Sequence, residues 1–147
     1  MKDYAKENRL LLDYLKKNNL NSTRQRDLIL KEFMSIEDHV SAEELFAMAR
    51  KKDPSIGQAT VFRALKVFSE AGIAEPVELS DKTVRYEHKI DHKHHDHLVC
   101  VSCGSIVEFF DERIESLQKA VCNKNGYSIN RHRLDIFGVC PECRKKE

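Results

Sequence analysis

The sequence predicts an α+β chain in two parts, a helical N-terminal part that ends in a β-hairpin and a smaller α/β C-terminal part. Three observations support this prediction. Apolar residues recur at helical spacing through most of positions 4–72, and two short β-like runs follow them. Mixed strand and helix signals return from residue 97 onward. A polar, histidine-rich link at 89–96 separates the two predicted parts, 1–88 and 97–147.

The first three helices are predicted from apolar stripes and capping residues. Residues 4–18 carry the first stripe, which an asparagine-rich break ends. Thr23 is a suitable N-cap for a second helix that runs to about Met34. Ser41 and Glu44 form a capping box, in which each side chain bonds a backbone N–H of the other residue. A third helix therefore begins directly after Ser41.

A fourth helix and a hairpin complete the N-terminal part. The segment 55–58 offers a cap for a helix through 59–68, and Ala71-Gly72 end that helix. The runs 73–79 and 83–88 are β-like, and a three-residue loop joins them. Several short helices followed by a hairpin are typical of a winged helix-turn-helix, whose last helix enters the major groove of DNA.

Candidate DNA contacts lie near the start of the fourth helix, at Thr60, Phe62 and Arg63. The alternative is a small helical domain whose last helix is merely amphipathic. The net charge of +1 does not by itself indicate a nucleic-acid binder. DNA binding would therefore depend on local basic clusters or on positive charge that bound cations add.

The C-terminal part is predicted to contain a hairpin, a helix and further strand. The run 97–101 reads as a strand, and 105–110 reads as its partner. Helix signals follow from 111 to 125, and the segment 127–139 is predicted to form one long or two short strands. The hairpin and the helix together offer a surface for dimerisation.

The stretch 92–104 places metal-ligand side chains of two chemical kinds close together. Its first half supplies imidazole and carboxylate, and its second half supplies two thiols. Because alternate side chains of a strand point to opposite faces, His95 and His97 share one face and His94 and Asp96 the other. The stretch therefore predicts more than one metal site. The alternatives are a solvated, charged entry to a strand and an accidental histidine-rich tract.

Two Cys-x-x-Cys pairs predict a tetrahedral zinc site. Cys100 and Cys103 form the first pair, Cys140 and Cys143 form the second, and 36 residues separate the pairs. Two such pairs are typical of structural zinc, which contributes directly to folding. The alternatives are two disulfides or two independent redox motifs. Cys122 follows apolar residues on a predicted helix and is expected in the core rather than at the metal.

Composition favours two small domains. Of 147 residues, 41% are hydrophobic and 33% are charged, which fits modest cores aided by a metal better than one large core. No apolar run approaches the length that spans a membrane, and the first residues are polar. We therefore expect a cytoplasmic protein without a secretory leader, in which cysteines stay reduced.

These residues together resemble the ferric uptake regulator family of bacterial metal-dependent repressors, over nearly the whole chain. The segments that carry the resemblance follow the family's order: Thr23-Arg24-Gln25-Arg26, His39 to Leu45, Ala59 to Arg63, Ala71-Gly72-Ile73, His94 to His97, and Cys100 to Gly104. The resemblance implies a winged-helix DNA-binding domain at 1–88, a hinge at 89–96, and a dimerisation and metal-binding domain at 97–147. It also implies a homodimer that binds palindromic, double-stranded operator DNA when loaded with metal and represses iron-uptake genes, with no membrane and no small-molecule substrate involved.

The resemblance also assigns three sets of metal ligands. The structural zinc set is Cys100, Cys103, Cys140 and Cys143. The regulatory set, for Fe(II) or for Mn(II), Co(II) or Zn(II) in its place, is His39, Glu87, His95, His97 and Glu108. A second site is His94, Asp96, Glu115 and His132. In this scheme one regulatory ion joins the two domains across the hinge and favours a closed arrangement that suits a two-fold operator.

Three positions bear on DNA specificity and on the metal sensed. Phe62 stands where the family usually has tyrosine, so a hydroxyl contact to DNA is lost. Asn21 stands where a minor-groove lysine is common, and Arg24 or Lys17 would replace it as the DNA contact. Glu108 stands where peroxide sensors of the family tend to carry aspartate, which favours iron sensing.

Several alternatives remain open at this stage. Within the family, the chain could sense peroxide, zinc or manganese instead of iron. A zinc-dependent hydrolase or deaminase would use the His/Asp cluster, but the His-x-Glu motif of the deaminases is absent and the second cysteine pair reads Cys-Pro-Glu-Cys. A metal-storage protein is a third class, which failure to bind DNA would favour.

Overall fold

The computed structural model describes residues 4–79, 82–90 and 93–146, and the chain divides into two compact units. The N-terminal unit comprises 4–78 and 82–90 of these residues, and the C-terminal unit comprises Leu79 and 93–146. The domain boundaries drawn from the sequence stay predictions, and part of the expected hinge, residues 91 and 92, lies outside the described residues.

Four helices form most of the N-terminal unit: α1 Ala5–Lys17, α2 Arg24–Met34, α3 Ala42–Lys52 and α4 Gln58–Glu70. Two predicted caps are confirmed. The hydroxyl of Thr23 accepts a hydrogen bond from the backbone N–H of Arg26. Ser41 and Glu44 exchange both bonds of the capping box, at 3.1 and 2.8 Å. Because such bonds satisfy N–H groups that a helix start leaves unpaired, they fix where α2 and α3 begin.

The start of α4 differs from the other two. Its N-cap is Gly57, so no side chain of the segment 55–58 caps it. The hydroxyl of Ser55 instead donates to the carboxylate of Asp53 at 2.6 Å, and Gln25 donates to the Ser55 oxygen at 3.1 Å. Ser55 is a turn residue here: it lies two positions before the N-cap, and its backbone N–H also donates to Asp53.

A three-stranded sheet closes the N-terminal unit, in the order β1 (Val40–Ser41), β3 (Val84–His88), β2 (Ala74–Glu78). β2 and β3 form the predicted antiparallel hairpin, of whose loop Ser80 and Asp81 lie outside the described residues. β1 was not predicted, since two residues carry no alternation to detect. Its pairing with β3 completes a wing beside the helices.

Apolar side chains from α2, α3 and α4 form the core of this unit. Phe33, Leu45, Leu65 and Phe68 are each fully buried there. The rings of Phe33 and Phe68 stack with centroids 6.1 Å apart. Burying one such side chain stabilises the fold by roughly 1.5–3 kcal/mol, so this core holds α4 rigidly while its other face stays open to solvent.

The C-terminal unit contains β4 Asp96–Cys100, β5 Ile106–Phe109, α5 Glu112–Lys124, β6 Asp135–Gly138 and α6 Pro141–Arg144. Its strand order is β5-β4-β6. β5 runs antiparallel to β4, as a hairpin requires, whereas β6 runs parallel to β4. Because of this parallel pairing, the C-terminal end of the chain lies next to the first cysteine pair.

Two predictions for the C-terminal unit are wrong. Of the expected strand 127–139 only Asp135–Gly138 is regular, so most of the segment is a connection that allows the parallel return. α5 has no buried residue, and Leu117 and Val121 are 65% and 60% exposed. Cys122, expected in a core, is therefore only half-buried.

Within the described residues, no helix has the length and hydrophobicity that crossing a bilayer requires.

Candidate functional site

The four paired cysteines meet at one point of the C-terminal unit. Their Sγ atoms all lie within 4.8 Å of one another. Cys100 ends β4, and the second pair follows β6, which is in register with β4 and brings Gly138 beside Cys100. Gly104 adopts φ +73°, a left-handed conformation that favours glycine, and its N–H donates to the Cys100 carbonyl at 2.9 Å. The first pair therefore sits on a tight turn.

The sulfur geometry fits a tetrahedral ion better than disulfides. All five cysteines are free thiols, and Sγ of Cys103 lies 3.8 Å from Sγ of Cys140. A zinc–sulfur bond of about 2.3 Å in a tetrahedron requires sulfur atoms about 3.8 Å apart, whereas a disulfide requires about 2 Å. The backbone N–H of Cys140 also points at Cys100 Sγ, at 3.3 Å.

Electrostatics in this cluster favour a bound cation. Hydrogen bonds from the backbone N–H groups of Cys140 and Cys103 lower the pKa of Cys100 to about 6. The hydroxyl of Ser105 lowers the pKa of Cys103. The pKa of Cys143 is instead raised, because it shares hydrogen bonds with Cys140 and the other thiols. The negative charge of Cys100 contributes to this rise, and a divalent cation bound among the sulfur atoms would offset that charge.

A second cluster in the same unit gathers two imidazoles and two carboxylates from three separate segments. Its members are His94, Asp96, Glu115 and His132, whose ligand atoms lie within 4.8 Å of one another. Glu115 Oε1 lies 3.2 Å from Nε2 of both His94 and His132. The two imidazole rings meet edge-on with centroids 4.3 Å apart.

Asp96 shows why this cluster fits a cation. Its carboxylate is fully buried, and neither oxygen accepts a hydrogen bond from the part of the chain that the structure describes. The nearest charged partner is Nε2 of His94, at 3.5 Å. A buried carboxylate without hydrogen bonds is costly, and a coordinated metal ion removes that cost.

The N-terminal unit supplies one pair of candidate regulatory ligands. His39 Nε2 lies 3.1 Å from a carboxylate oxygen of Glu87, on the wing strand β3. The other ring nitrogen, Nδ1, lies 3.1 Å from Asp38. The backbone N–H of His39 also donates to Asp38 and thereby lowers the pKa of this carboxyl. Arg85 donates to the His39 carbonyl at 3.1 Å, which fixes the backbone of this ligand.

The C-terminal unit supplies the other three candidate regulatory ligands. His95 and His97 meet edge-on with ring centroids 4.9 Å apart, and His95 Nε2 lies 3.7 Å from a carboxylate oxygen of Glu108. Register places Glu108 opposite His97. The structure thus groups His95 with His97 and His94 with Asp96, as strand parity predicts.

Two carboxylates beside the histidines were not found from the sequence. Asp38 bonds His39, and Asp135 bonds Nδ1 of His97 at 3.0 Å. The proximity of Asp38 in sequence was an available signal. Asp135 had none, because it reaches His97 through the parallel pairing of β6 with β4, which is not visible in the chain order.

The candidate DNA-binding face is the solvent side of α4. Phe62 is 44% exposed and Arg63 is exposed, whereas Val61 and Leu65 face the core. The Arg63 guanidinium donates to the Thr60 hydroxyl at 3.4 Å. Arg24, at the start of α2, is also exposed. All four candidates are on one unit, and this unit has the architecture that presents a helix to the major groove.

Residues 17–137 match the Ferric uptake regulator family. The chain belongs to this family. It is 40% identical over 134 residues to the ferric uptake regulation protein of Neisseria meningitidis, which spans 90% of this chain and 92% of that protein. It is 32% identical over 143 residues to the peroxide operon regulator of Bacillus subtilis, with 97% of each chain covered.

A solved ferric uptake regulator agrees with the fold. The Helicobacter pylori protein, described as having three functional metal binding sites, matches with TM-score 0.84 and 30% identity over 97% of this chain and 95% of its own. The predicted fold class is therefore confirmed: a winged helix-turn-helix followed by an α/β dimerisation domain. Members of the ferric uptake regulator family are metal-responsive, DNA-binding transcription regulators and not enzymes.

Proposed function

We propose that this member of the ferric uptake regulator family is an Fe(II)-responsive repressor of iron-uptake genes. In this proposal, a metal-loaded homodimer binds a palindromic operator in the cytoplasm, where that DNA is found. The observation that carries the proposal is the separation of metal ligands into a thiolate set and two imidazole–carboxylate sets. Soft thiolates hold Zn(II), whereas nitrogen and oxygen donors accept Fe(II), Mn(II), Co(II) or Zn(II).

The four-cysteine set would hold a permanent zinc ion. The 3.8 Å sulfur separation and the low pKa of Cys100 support this assignment. Coordination by both cysteine pairs would tie the chain end to β4. The binding energy of such an ion is folding energy, so this zinc has a structural and not a sensing role.

The regulatory set would take ligands from both units, His39 and Glu87 from one and His95, His97 and Glu108 from the other. The support is chemical: each unit presents imidazole beside carboxylate, and three imidazoles with two carboxylates suit a five- or six-coordinate ion. An ion held this way would bias the arrangement of the units. An effective switch needs roughly 10²–10⁴-fold tighter binding to one arrangement, about 3–5.5 kcal/mol.

The cluster of His94, Asp96, Glu115 and His132 would be a second site for a divalent ion. The buried Asp96 carboxylate supports it, since a cation would satisfy oxygens that accept no hydrogen bond from the described residues. This ion would connect β4 with α5, which otherwise has no buried residue. We therefore assign it to the stability of the dimerisation domain.

An apolar sheet face supports the homodimer. Leu98, Val107 and Ile136 form one cross-strand row, and they are 42%, 56% and 44% exposed. The face contains a groove of about 210 Å³. Leu117 and Val121 of α5 add further exposed apolar surface. Surface of this kind marks an interface, and the partner we propose is a second copy of the chain, as in the dimeric family.

The operator would be read by α4. Phe62 offers an apolar ring to thymine methyl groups, and Arg63 offers hydrogen bonds to guanine. Thr60 and Arg24 would contact the backbone or the adjacent groove. Two copies related by a two-fold axis would read two half-sites, which accounts for a palindromic operator.

A peroxide-responsive regulator is the second candidate, and zinc- or manganese-responsive regulators are further alternatives. The similarity to the peroxide operon regulator of Bacillus subtilis supports the peroxide-responsive candidate. Glu108 argues against the peroxide sensor, because the peroxide sensors of the family tend to carry aspartate at this position. Cellular metal supply, and not affinity alone, decides which ion such donors hold.

Operator binding under controlled metal supply tests the proposal. The protein with its zinc is titrated anaerobically into labelled operator DNA with no added metal, Fe(II), Mn(II) or Zn(II). We expect Fe(II) to tighten binding at least about 100-fold. Loss of binding after peroxide treatment of the Fe(II) form would favour the peroxide sensor, and metal-independent binding would contradict both.

A further inference from the structure

A row of three polar residues crosses the sheet of the C-terminal unit. His97 of β4 is paired with Glu108 of β5 on one side and with Asp135 of β6 on the other. Because residues opposite one another on neighbouring strands share a face, all three side chains lie on the same face of the sheet. Two of them belong to the proposed regulatory set, and Asp135 does not.

The contact between Asp135 and His97 is well defined. Asp135 Oδ1 lies 3.0 Å from Nδ1 of His97, and both side chains are largely buried, at 13% and 5% exposure. The other oxygen, Oδ2, accepts from Nε of Arg133. The His97 backbone N–H also donates to the carbonyl of Leu134, at 3.1 Å. The carboxylate is thus fixed by a guanidinium on one side and by strand pairing on the other.

This contact selects one form of the imidazole. A carboxylate accepts hydrogen bonds and has no proton to donate, so Nδ1 of His97 must carry the proton. In the neutral ring, Nε2 is then the nitrogen with a lone pair. Only a ring nitrogen with a lone pair can bind a metal ion, and partners of this kind raise the basicity of the ligating nitrogen.

We propose that Asp135 is a positioning residue for the regulatory ion, which holds His97 as the Nδ1–H tautomer so that Nε2 is the ligand. The inference rests on the proposed function, since it requires His97 to bind the ion. Asp135 itself would not touch the metal. Removal of such a partner typically weakens metal binding by about 10–100-fold.

Asp38 provides a matched control inside the same chain. Its Oδ1 lies 3.1 Å from Nδ1 of His39, so the two aspartates make the same kind of contact with two ligands of one set. Exposure distinguishes them, because the Asp38 side chain is 91% exposed. Water competes for that hydrogen bond and can replace it, so loss of Asp38 should matter far less than loss of Asp135.

The experiment combines a tautomer measurement with a metal titration. Zinc-containing protein with ¹⁵N-labelled histidine is studied by long-range ¹H–¹⁵N NMR as wild type, Asp135→Ala, Asp135→Asn and Asp38→Ala. Affinity is read from the His97 ring nitrogens in a chelator-buffered Zn(II) series. Retention of the four-cysteine zinc in each variant shows that the unit is folded.

We expect His97 in the wild type to be the Nδ1–H tautomer before Zn(II) is added. Asp135→Ala should mix the tautomers and weaken Zn(II) binding at His97 about 10–100-fold, with Asp135→Asn in between, whereas Asp38→Ala should change it less than about threefold. An unchanged tautomer or an unchanged affinity in Asp135→Ala would overturn the positioning role alone. Failure of Zn(II) to shift His97 in the wild type would overturn the proposed function and this role with it.

Discussion

The two units of this chain are stabilised by different means. The N-terminal unit buries large side chains such as Phe33, Leu45 and Phe68 completely. Among the described residues of the C-terminal unit, the buried apolar side chains are Val99 and Cys100, and the other buried ones are the candidate ligands Asp96 and His97. The first unit therefore folds around a hydrocarbon core, whereas the second buries so little apolar surface that we expect it to depend on the metal ions and the partner chain proposed above.

Removal of the structural zinc should give the largest effect. We expect Cys140→Ser, or a strong chelator, to unfold the C-terminal unit, since such sites contribute about 10 kcal/mol or more. The N-terminal unit should keep its helices, because its core holds no proposed zinc ligand. Circular dichroism and hydrogen exchange resolved by unit are the measurements. A zinc-free C-terminal unit with native protection would refute the comparison.

Phe68→Ala should destabilise the N-terminal unit. The variant leaves a cavity in the helical core, and we expect a loss of about 3–5 kcal/mol in the free energy of unfolding of the N-terminal unit. Zinc content and self-association, which belong to the other unit, should be unchanged. Denaturant titration gives the free energy, and metal analysis gives the control. Equal loss of both properties would mean that the units do not fold separately.

A charge on the exposed sheet face should break the homodimer. Val107→Asp places a carboxylate at one end of the apolar row, beside Leu98, without replacing a proposed metal ligand. We expect the dissociation constant to rise at least about 100-fold, since burial of an unpaired charge costs several kcal/mol. Sedimentation at several concentrations measures it, with Val101→Asp outside the row as the comparison. A dimer of unchanged strength would place the interface elsewhere.

Ser41→Ala should have the smallest effect of these variants. It removes the hydroxyl that accepts from Glu44 N–H, and loss of such a cap costs about 1 kcal/mol. The midpoint of N-terminal unfolding should shift accordingly, and Ser41→Asn should restore most of it. A loss larger than that of Phe68→Ala would show that a local cap, and not the core, determines this unit's stability.

Local features of the fold could be predicted from the sequence, and pairings between distant segments could not. The caps at Thr23 and Ser41 depend on residues within one helical turn, so a stretch of four residues is enough to reveal them. β1 has two residues and exists because β3 pairs with it. A strand was expected within 127–139, where β6 lies, but nothing in that sequence shows that β6 runs parallel to β4. The short helix α6 is a local element that was missed for another reason, because four residues are too few to show a helical stripe.

The same division applies to the candidate site. The cysteine pairs and the alternation of His94, His95, Asp96 and His97 are legible in the sequence, because spacing alone determines them. Glu115 and His132 required a resemblance to a family, and Asp135 required the structure. Asp135 lies beside His97 because β6 pairs in parallel with β4. Parallel strands need a long connection, so the two residues are far apart in sequence.

Metal-dependent operator binding by His39→Ala is the most direct test of the account, with His132→Ala as its companion. The wild type should bind operator about 100-fold more tightly with Fe(II), and His39→Ala should lower this enhancement below about fivefold while one zinc per chain is retained. His132→Ala, which alters the second cluster, should keep most of the enhancement. If His39→Ala responded to Fe(II) as the wild type does, a regulatory ion bound through His39 would be contradicted.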